Sequence, residues 1–231
     1  MHNEIALVIL AAGKGTRMLP LTEKIPKPLQ KVCGKNLIEW KLEMLPLEVA
    51  RIVMVIGYEG EQIRTYFGNT WRGRKIDYVV QEKLNGTGGA LWSAQRMLPE
   101  RFMVMMGDDL YGRADIAHLL HYDFALGVIP VSDCEIGGRV ATNSDATLKE
   151  VIEGRQYVSQ GFLNAGIYML RDSIFSTSLC LASNGTEEYG LPQTLALFAH
   201  TTPVAVIALN NWMQITTPID LKRAEQFVSS I

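Results

Sequence analysis

The residues with the most chemistry to offer stand near the start: Leu10-Ala-Ala-Gly-Lys-Gly-Thr-Arg17, then Lys27 between Pro26 and Pro28. Small residues and glycines let a backbone come close to an anion, and amides at a following helix start can bind it. Gly13 and Gly15 match the opening of the dinucleotide fingerprint, but Met18 occupies the place of its third glycine. The segment also lacks the Gly-Lys-Ser/Thr ending of a P-loop. The cations give it meaning. Arg17 and a proline-stiffened Lys27 beside amide donors suit a triphosphate, whose transfer chemistry depends on positioning and charge neutralisation.

The elements that must carry these residues alternate in type. Ile5 to Leu10 is an uninterrupted apolar run, as in a strand buried on both faces. Asn36 to Leu45 has helical spacing and stops at Pro46. Arg51 to Ile56 reads as a strand, Glu59 to Phe67 as a helix ending at Gly68, and Ile76 to Val80 as a strand. Gly88 to Leu98 reads as a helix, Phe102 to Met106 as a strand, Arg113 to His121 as a helix and Phe124 to Val131 as extended. This predicts an α/β fold with a mostly parallel sheet flanked by helices, Rossmann-like in plan.

After about Ser132 the pattern shortens. Gly137 to Val140, Ala146 to Ile152 and Asn164 to Leu170 read as shorter strands separated by turns, forming a smaller antiparallel lobe. Pro203 to Leu209 reads as a strand between helices at Leu191 to His200 and Pro218 to Ser230. No linker, repeat or low-complexity tract divides the chain. A single domain over 1–231 is expected, its two lobes meeting at about residue 131 around a cleft.

Composition narrows the classes further. The 231 residues carry Lys+Arg 22 against Asp+Glu 24 and are 48% apolar, enough for a substantial core. A net charge of −2 argues against a general nucleic-acid binder. Cys33, Cys134 and Cys180 fit neither a disulfide framework nor a zinc spacing. With no signal-peptide pattern and no apolar run of about 18 residues, a cytoplasmic protein without a membrane partner is expected. His118 and His121 have no third ligand nearby and read as a helix surface. Glu187-Glu188 reads as a solvated helix start.

The stretch from Leu10 to Leu29, followed by Val32-Cys-Gly-Lys35, closely resembles the sugar-phosphate nucleotidyltransferases, also called nucleoside-diphosphate-sugar pyrophosphorylases. The likeness continues through most of the chain and weakens after about Glu150. It implies an enzyme that joins a nucleoside triphosphate to a sugar 1-phosphate with release of pyrophosphate, assisted by Mg2+. It assigns catalytic roles to Arg17 at the departing pyrophosphate, Lys27 between the α-phosphate and the incoming phosphate, and Asp108 as metal ligand. Leu10, Ala11, Ala12, Gly13, Gly15 and Thr16 would hold the nucleotide. Gln81, Gly86 and Thr87 resemble the base-recognition segment, where a Gln amide both donates to and accepts from a pyrimidine edge. The Ala11-Ala12-Gly13 opening resembles the uridylyl and thymidylyl branches, which favours UTP or dTTP.

On the acceptor side, Gly138, Glu153 and Asn164 resemble sugar-binding positions of the N-acetylglucosamine-1-phosphate uridylyltransferases. Two departures stand out. Many relatives have Glu-Lys-Pro where this chain has Glu153-Gly154-Arg155, and a second aspartate ligand where Gln214 follows Trp212-Met213. Gln214 is therefore the candidate second metal ligand, and Asp109 reads as the cap of a turn. Two other readings stay open. One is transfer of CMP to phosphocholine or a similar acceptor, and the other is a catalytically weakened nucleotide-sugar-binding regulatory protein. The chain holds no stretch long enough for the acyltransferase-type second domain of some relatives, so one activity is expected. Homo-oligomer formation stays open.

Overall fold

The computed structural model describes residues 4–182 and 185–231, without the side chains of 133–136 and 155–159. In chain order the strands and helices are β1 (Ile5–Ala11), β2 (Lys31–Val32), β3 (Lys35–Asn36), α1 (Leu37–Glu43), β4 (Val49–Ile56), α2 (Gly60–Phe67), β5 (Thr70–Trp71), β6 (Arg74–Val80) and α3 (Gly86–Ala94). They continue with β7 (Arg101–Met106), β8 (Asp109–Tyr111), α4 (Arg113–Leu119), β9 (Ala125–Thr142), β10 (Leu148–Arg171), α5 (Leu191–Phe198), β11 (Ala205–Ala208), β12 (Trp212–Gln214) and α6 (Pro218–Val228). One eight-stranded sheet runs β11-β9-β10-β7-β1-β4-β6-β5. β1 is parallel to both β4 and β7, and β4 is parallel to β6. β10 joins antiparallel to β7, so the second half of the chain extends the same sheet.

All seven residues of β1 are buried, and its side chains alternate between two cores. Leu7 and Ile9 pack with Ile38, Ile63 and Ile116 of α1, α2 and α4. Ala6, Val8 and Leu10 pack on the other face with Leu91 of α3 and Leu195 of α5. Each fully buried Leu or Ile contributes roughly 1.5–3 kcal/mol. That double burial explains the uninterrupted apolar run in the sequence.

α1 starts where Asn36 Oδ1 accepts from the Glu39 amide at 2.9 Å and Glu39 Oε2 accepts from the Asn36 amide at 2.7 Å. This reciprocal cap is worth about 1 kcal/mol. Thr217 and Asp220 cap α6 in the same way. Because β1, β4, β6 and β7 are mutually aligned, the loops after Ala11, Ile56, Val80 and Met106 gather at one sheet edge, where open α/β sheets bind ligands.

The second half differs from its sequence reading. The three short strands are parts of β9 and β10, which run for 18 and 24 residues. Gly137 and Gly154 sit within them at φ +148° and +128°, and the register shifts at several points. Glycines at such angles bend a strand without ending its ladder, whereas in a sequence they read as breaks.

Candidate active site

The loop after β1 is held at close quarters by its neighbours. The Tyr58 amide donates to Ala12 O at 3.0 Å, and the Gly107 amide donates to Leu10 O at 2.9 Å. A side chain at Gly57 or Gly107 would meet those carbonyls at 2.8 Å, so both strand-end glycines are needed for the approach. Beyond Ala12 the described chain runs through 3₁₀ turns at Thr16–Met18, Leu21–Glu23 and Lys27–Leu29. No α-helix opens directly after the glycines, so the loop amides do not stand at a helix start. Gly15 adopts φ +63° and abuts Lys27, and Thr22 Oγ1 donates to its carbonyl at 2.9 Å. The loop thus doubles back, bringing Lys27 beside the glycines.

Lys27 is 6% exposed and forms an ion pair with Asp108, which lies in the turn between β7 and β8. Asp109 is not a turn cap. It is buried in β8, opposite Gln214 of β12, with Trp212 Nε1 donating to its Oδ2 at 3.4 Å. Burial, together with the neighbouring Asp108 charge, pushes its carboxyl well above the usual range. Lys41 of α1 lies close by and donates from Nζ to Gly107 O at 3.0 Å and to Leu37 O at 3.2 Å. Burial lowers its ammonium to about 8, against the opposing pull of Asp108 and Asp109. Tyr111 closes the cluster by donating to the Ala165 and Gly166 carbonyls, each at 3.0 Å.

Lys41 escaped the sequence reading. Its only signal was a lysine four residues after Leu37, on the face of α1 that also buries Ile38 and Leu42.

The segment expected to recognise the base is equally braced. Gln81 is buried to 6% exposure, and its Nε2 donates to Asn85 Oδ1 and Gly86 O, both at 3.0 Å. Gly86 adopts φ +93°, and a Cβ there would meet Tyr189 O at 2.4 Å. Thr87 Oγ1 accepts from the Leu191 amide at 3.0 Å. Glu188 belongs to this brace rather than to a helix start, because α5 begins only at Leu191.

The three residues expected to bind the acceptor, far apart in sequence, converge. Gly138 pairs with Glu153 across β9 and β10, and a Cβ at Gly138 would lie 3.4 Å from Asn164 Cβ and 3.7 Å from Glu153 Cγ. Asn164 accepts from the Gly166 amide and donates to Tyr168 Oη, each at 2.9 Å. Burial raises the Glu153 carboxyl above its ordinary value. The side chains of Arg155 and Cys134 lie outside the described residues.

One cleft of about 640 Å³ collects these parts. It is lined by Leu10, Ala11, Ala12, Gly13, Gly15, Thr16 and Arg17, by Lys27 and Asp108, by Gln81, Gly86 and Thr87, and by Glu153. Gly138 and Asn164 lie beside Glu153 rather than on the wall. Gln214 is exposed opposite Asp109, and Thr216, which the sequence reading did not single out, reaches the cleft instead. The arrangement offers cations and loop amides for phosphates, an amide for a base, and a carboxylate for hydroxyls.

Comparison with known proteins identifies the family. The family model described as "Nucleotidyl transferase" matches residues 6–230. The chain is 32% identical over 220 residues to the bifunctional protein GlmU of Methanococcus maripaludis, covering 94% of this chain and 53% of that one. It thus spans about half the length of that relative. It is 29% identical to the UTP–glucose-1-phosphate uridylyltransferase AglF of Haloferax volcanii, covering 95% of this chain and 94% of that one. The fold is shared with the inositol-1-phosphate CTP transferase of T. maritima, at a TM-score of 0.79 and 22% identity, over 98% of this chain and 96% of the other. With a family match over nearly its whole length, the chain belongs to the nucleotidyl transferase family.

Proposed function

We propose that the protein transfers a nucleoside monophosphate from UTP or dTTP to a sugar 1-phosphate. An oxygen of the sugar phosphate bonds to the α-phosphorus as the bond from that phosphorus to the bridging oxygen breaks. Pyrophosphate leaves with the electron pair. The observation that carries this reading is the Lys27–Asp108 pair, set in one cleft between Gln81 on the base side and Glu153 on the acceptor side. Uridylyl transfer to a sugar phosphate is the activity in the name of the AglF relative, which supports the choice of substrates.

In this reading Lys27 holds charge between the α-phosphate and the attacking phosphate, and Arg17, exposed at the cleft, meets the departing pyrophosphate; that both line one cleft supports it. Fixed cations aimed at developing charge are worth most where water is partly excluded. No covalent intermediate is required.

The donor set also fits magnesium. Asp108 presents a carboxylate that is one-third exposed (33%), and Asp109 Oδ1 beneath it has no hydrogen-bond partner. Among the described residues no cluster of three His, Cys, Asp or Glu could cage an ion unaided. Magnesium commonly completes such sites with water and substrate phosphate oxygens. Asp108 would hold it, with the exposed Gln214 carboxamide as the candidate second donor. Bound there, it would neutralise phosphate charge.

Pyrophosphate release from a matrix of UTP, dTTP, CTP and GTP against sugar 1-phosphates, with magnesium, tests the reading. Turnover with UTP or dTTP and a sugar 1-phosphate is expected. Saturable triphosphate binding without pyrophosphate from any pair would remove it.

A further inference from the structure

Asn85 sits beside the base segment and has no part in the chemistry above. Its Oδ1 accepts from Gln81 Nε2 at 3.0 Å, and the Gly86 carbonyl accepts from the same nitrogen at 3.0 Å. A backbone carbonyl can only accept, so the Gly86 contact fixes which end of the Gln81 amide is the NH2. Both N–H bonds of that group are then used. The acceptor Oε1 is what Gln81 has left to offer a ligand in the cleft.

Gly89 gives Asn85 the room to do this. A Cβ at Gly89 would lie 1.9 Å from Asn85 Oδ1, so the carboxamide occupies the space that a side chain at position 89 would fill. Glycine is a poor helix former, yet Gly89 is inside α3.

We propose that Asn85, seated over Gly89, is a positioning residue that locks Gln81 as an acceptor and thereby selects a base with a ring N–H, uracil or thymine, over cytosine. The proposal rests on the reading that the cleft binds a pyrimidine nucleoside triphosphate. The N3–H of uracil donates to Oε1. Cytosine presents a lone pair at the same ring position, and two acceptors then face each other. Turning the amide over to serve cytosine breaks the Gly86 hydrogen bond. The Asn85 contact is lost with it, because the N-terminal end of α3, where Asn85 is the N-cap residue, favours its oxygen over its NH2 there.

Calorimetric binding of UTP and of CTP to the full chain with magnesium tests this without needing the acceptor. Wild type should bind UTP more tightly by about tenfold or more, the cost of turning the amide over. Asn85→Leu should lower that ratio about fivefold, since turning the amide then breaks one bond rather than two. Asn85→Asp keeps an acceptor and should keep the ratio. Gly89→Ala, a change helix propensity favours, should displace the carboxamide and lower the ratio as Asn85→Leu does. Wild-type preference for CTP, or an unchanged ratio in both Asn85→Leu and Gly89→Ala, would overturn the proposal. If Gln81→Leu abolishes the ratio while those two variants keep it, the base site stands and only the role of Asn85 falls. If no triphosphate binds at all, the functional reading falls and takes this proposal with it.

Discussion

Lys41 and Gly107 are joined across 66 residues by a hydrogen bond from Nζ to the carbonyl at 3.0 Å. That bond fastens α1 to the turn presenting Asp108. It also brings a cation under the acidic segment, where Asp109 has no partner on Oδ1.

Lys41→Met keeps the length of the side chain and removes its donor and charge. Leaving a buried carbonyl unmet costs about 2 kcal/mol, which in a chain of this size lowers the thermal midpoint by roughly 6 °C. We expect that drop together with a roughly tenfold lower kcat, because Asp108 loses its support. Calorimetry and steady-state rates check it; a variant matching wild type in both would show the bond to be incidental.

Lys27→Ala and Asp108→Ala should each lower kcat by at least about 100-fold, the usual effect of removing a fixed group that meets developing charge. Circular dichroism should show the fold retained. Wild-type rates in both variants would mean that the chemistry is elsewhere.

Glu153→Gln carries a pH signature. Burial raises the Glu153 carboxyl; the Gln193 hydrogen bond opposes this, and the Glu188 charge adds to it. Between its unfolded and folded values the folded chain binds more protons, so stability falls as pH rises through that window and stays lowered above it. The variant should therefore unfold at a higher temperature than wild type at neutral pH. The gain should vanish below about pH 4, near the ordinary glutamate value. Meanwhile the KM for the acceptor should rise. A midpoint difference that does not depend on pH would contradict the burial argument.

Gly166→Ala should destabilise by about 2 kcal/mol, read from the denaturant midpoint. Gly166 holds φ +67°, and a Cβ would lie 2.6 Å from Met106 Cγ and 3.2 Å from Asp109 Oδ2. Because that strain falls on the acidic segment, kcat should drop while UTP affinity holds. A variant as stable as wild type would contradict both the steric and the backbone strain argued here.

The parts of the molecule legible in the sequence are those where one local pattern has one physical cause. β1 declared itself because both of its faces are buried, and α1 because Asn36 and Glu39 close a cap at its start. The doubling-back of the loop was not legible, since Gly15 meets Lys27 only after two short turns have reversed the chain. Lys41 was missed because a lysine at helical spacing ordinarily signals solvent, and its partner carbonyl is supplied by a distant strand end. Asp109 resembled a cap because nothing local says that Trp212 will cover it. The glycines of β9 and β10 misled in the opposite direction, hiding continuous strands behind apparent turns.

The place of β10 beside β7 bears on how the chain can be divided. Ile167 to Arg171 pair with Met105 to Arg101, and Met103 and Met105 are wholly buried. A fragment ending before β9 would leave β7 as a bare sheet edge, carrying an apolar strand and a row of unsatisfied amides, which invites intermolecular pairing. The two halves are therefore not modules to be exchanged or expressed apart. The turn that bears Asp108 lies between two strands whose antiparallel partners, β10 and β12, the ribosome delivers long after it.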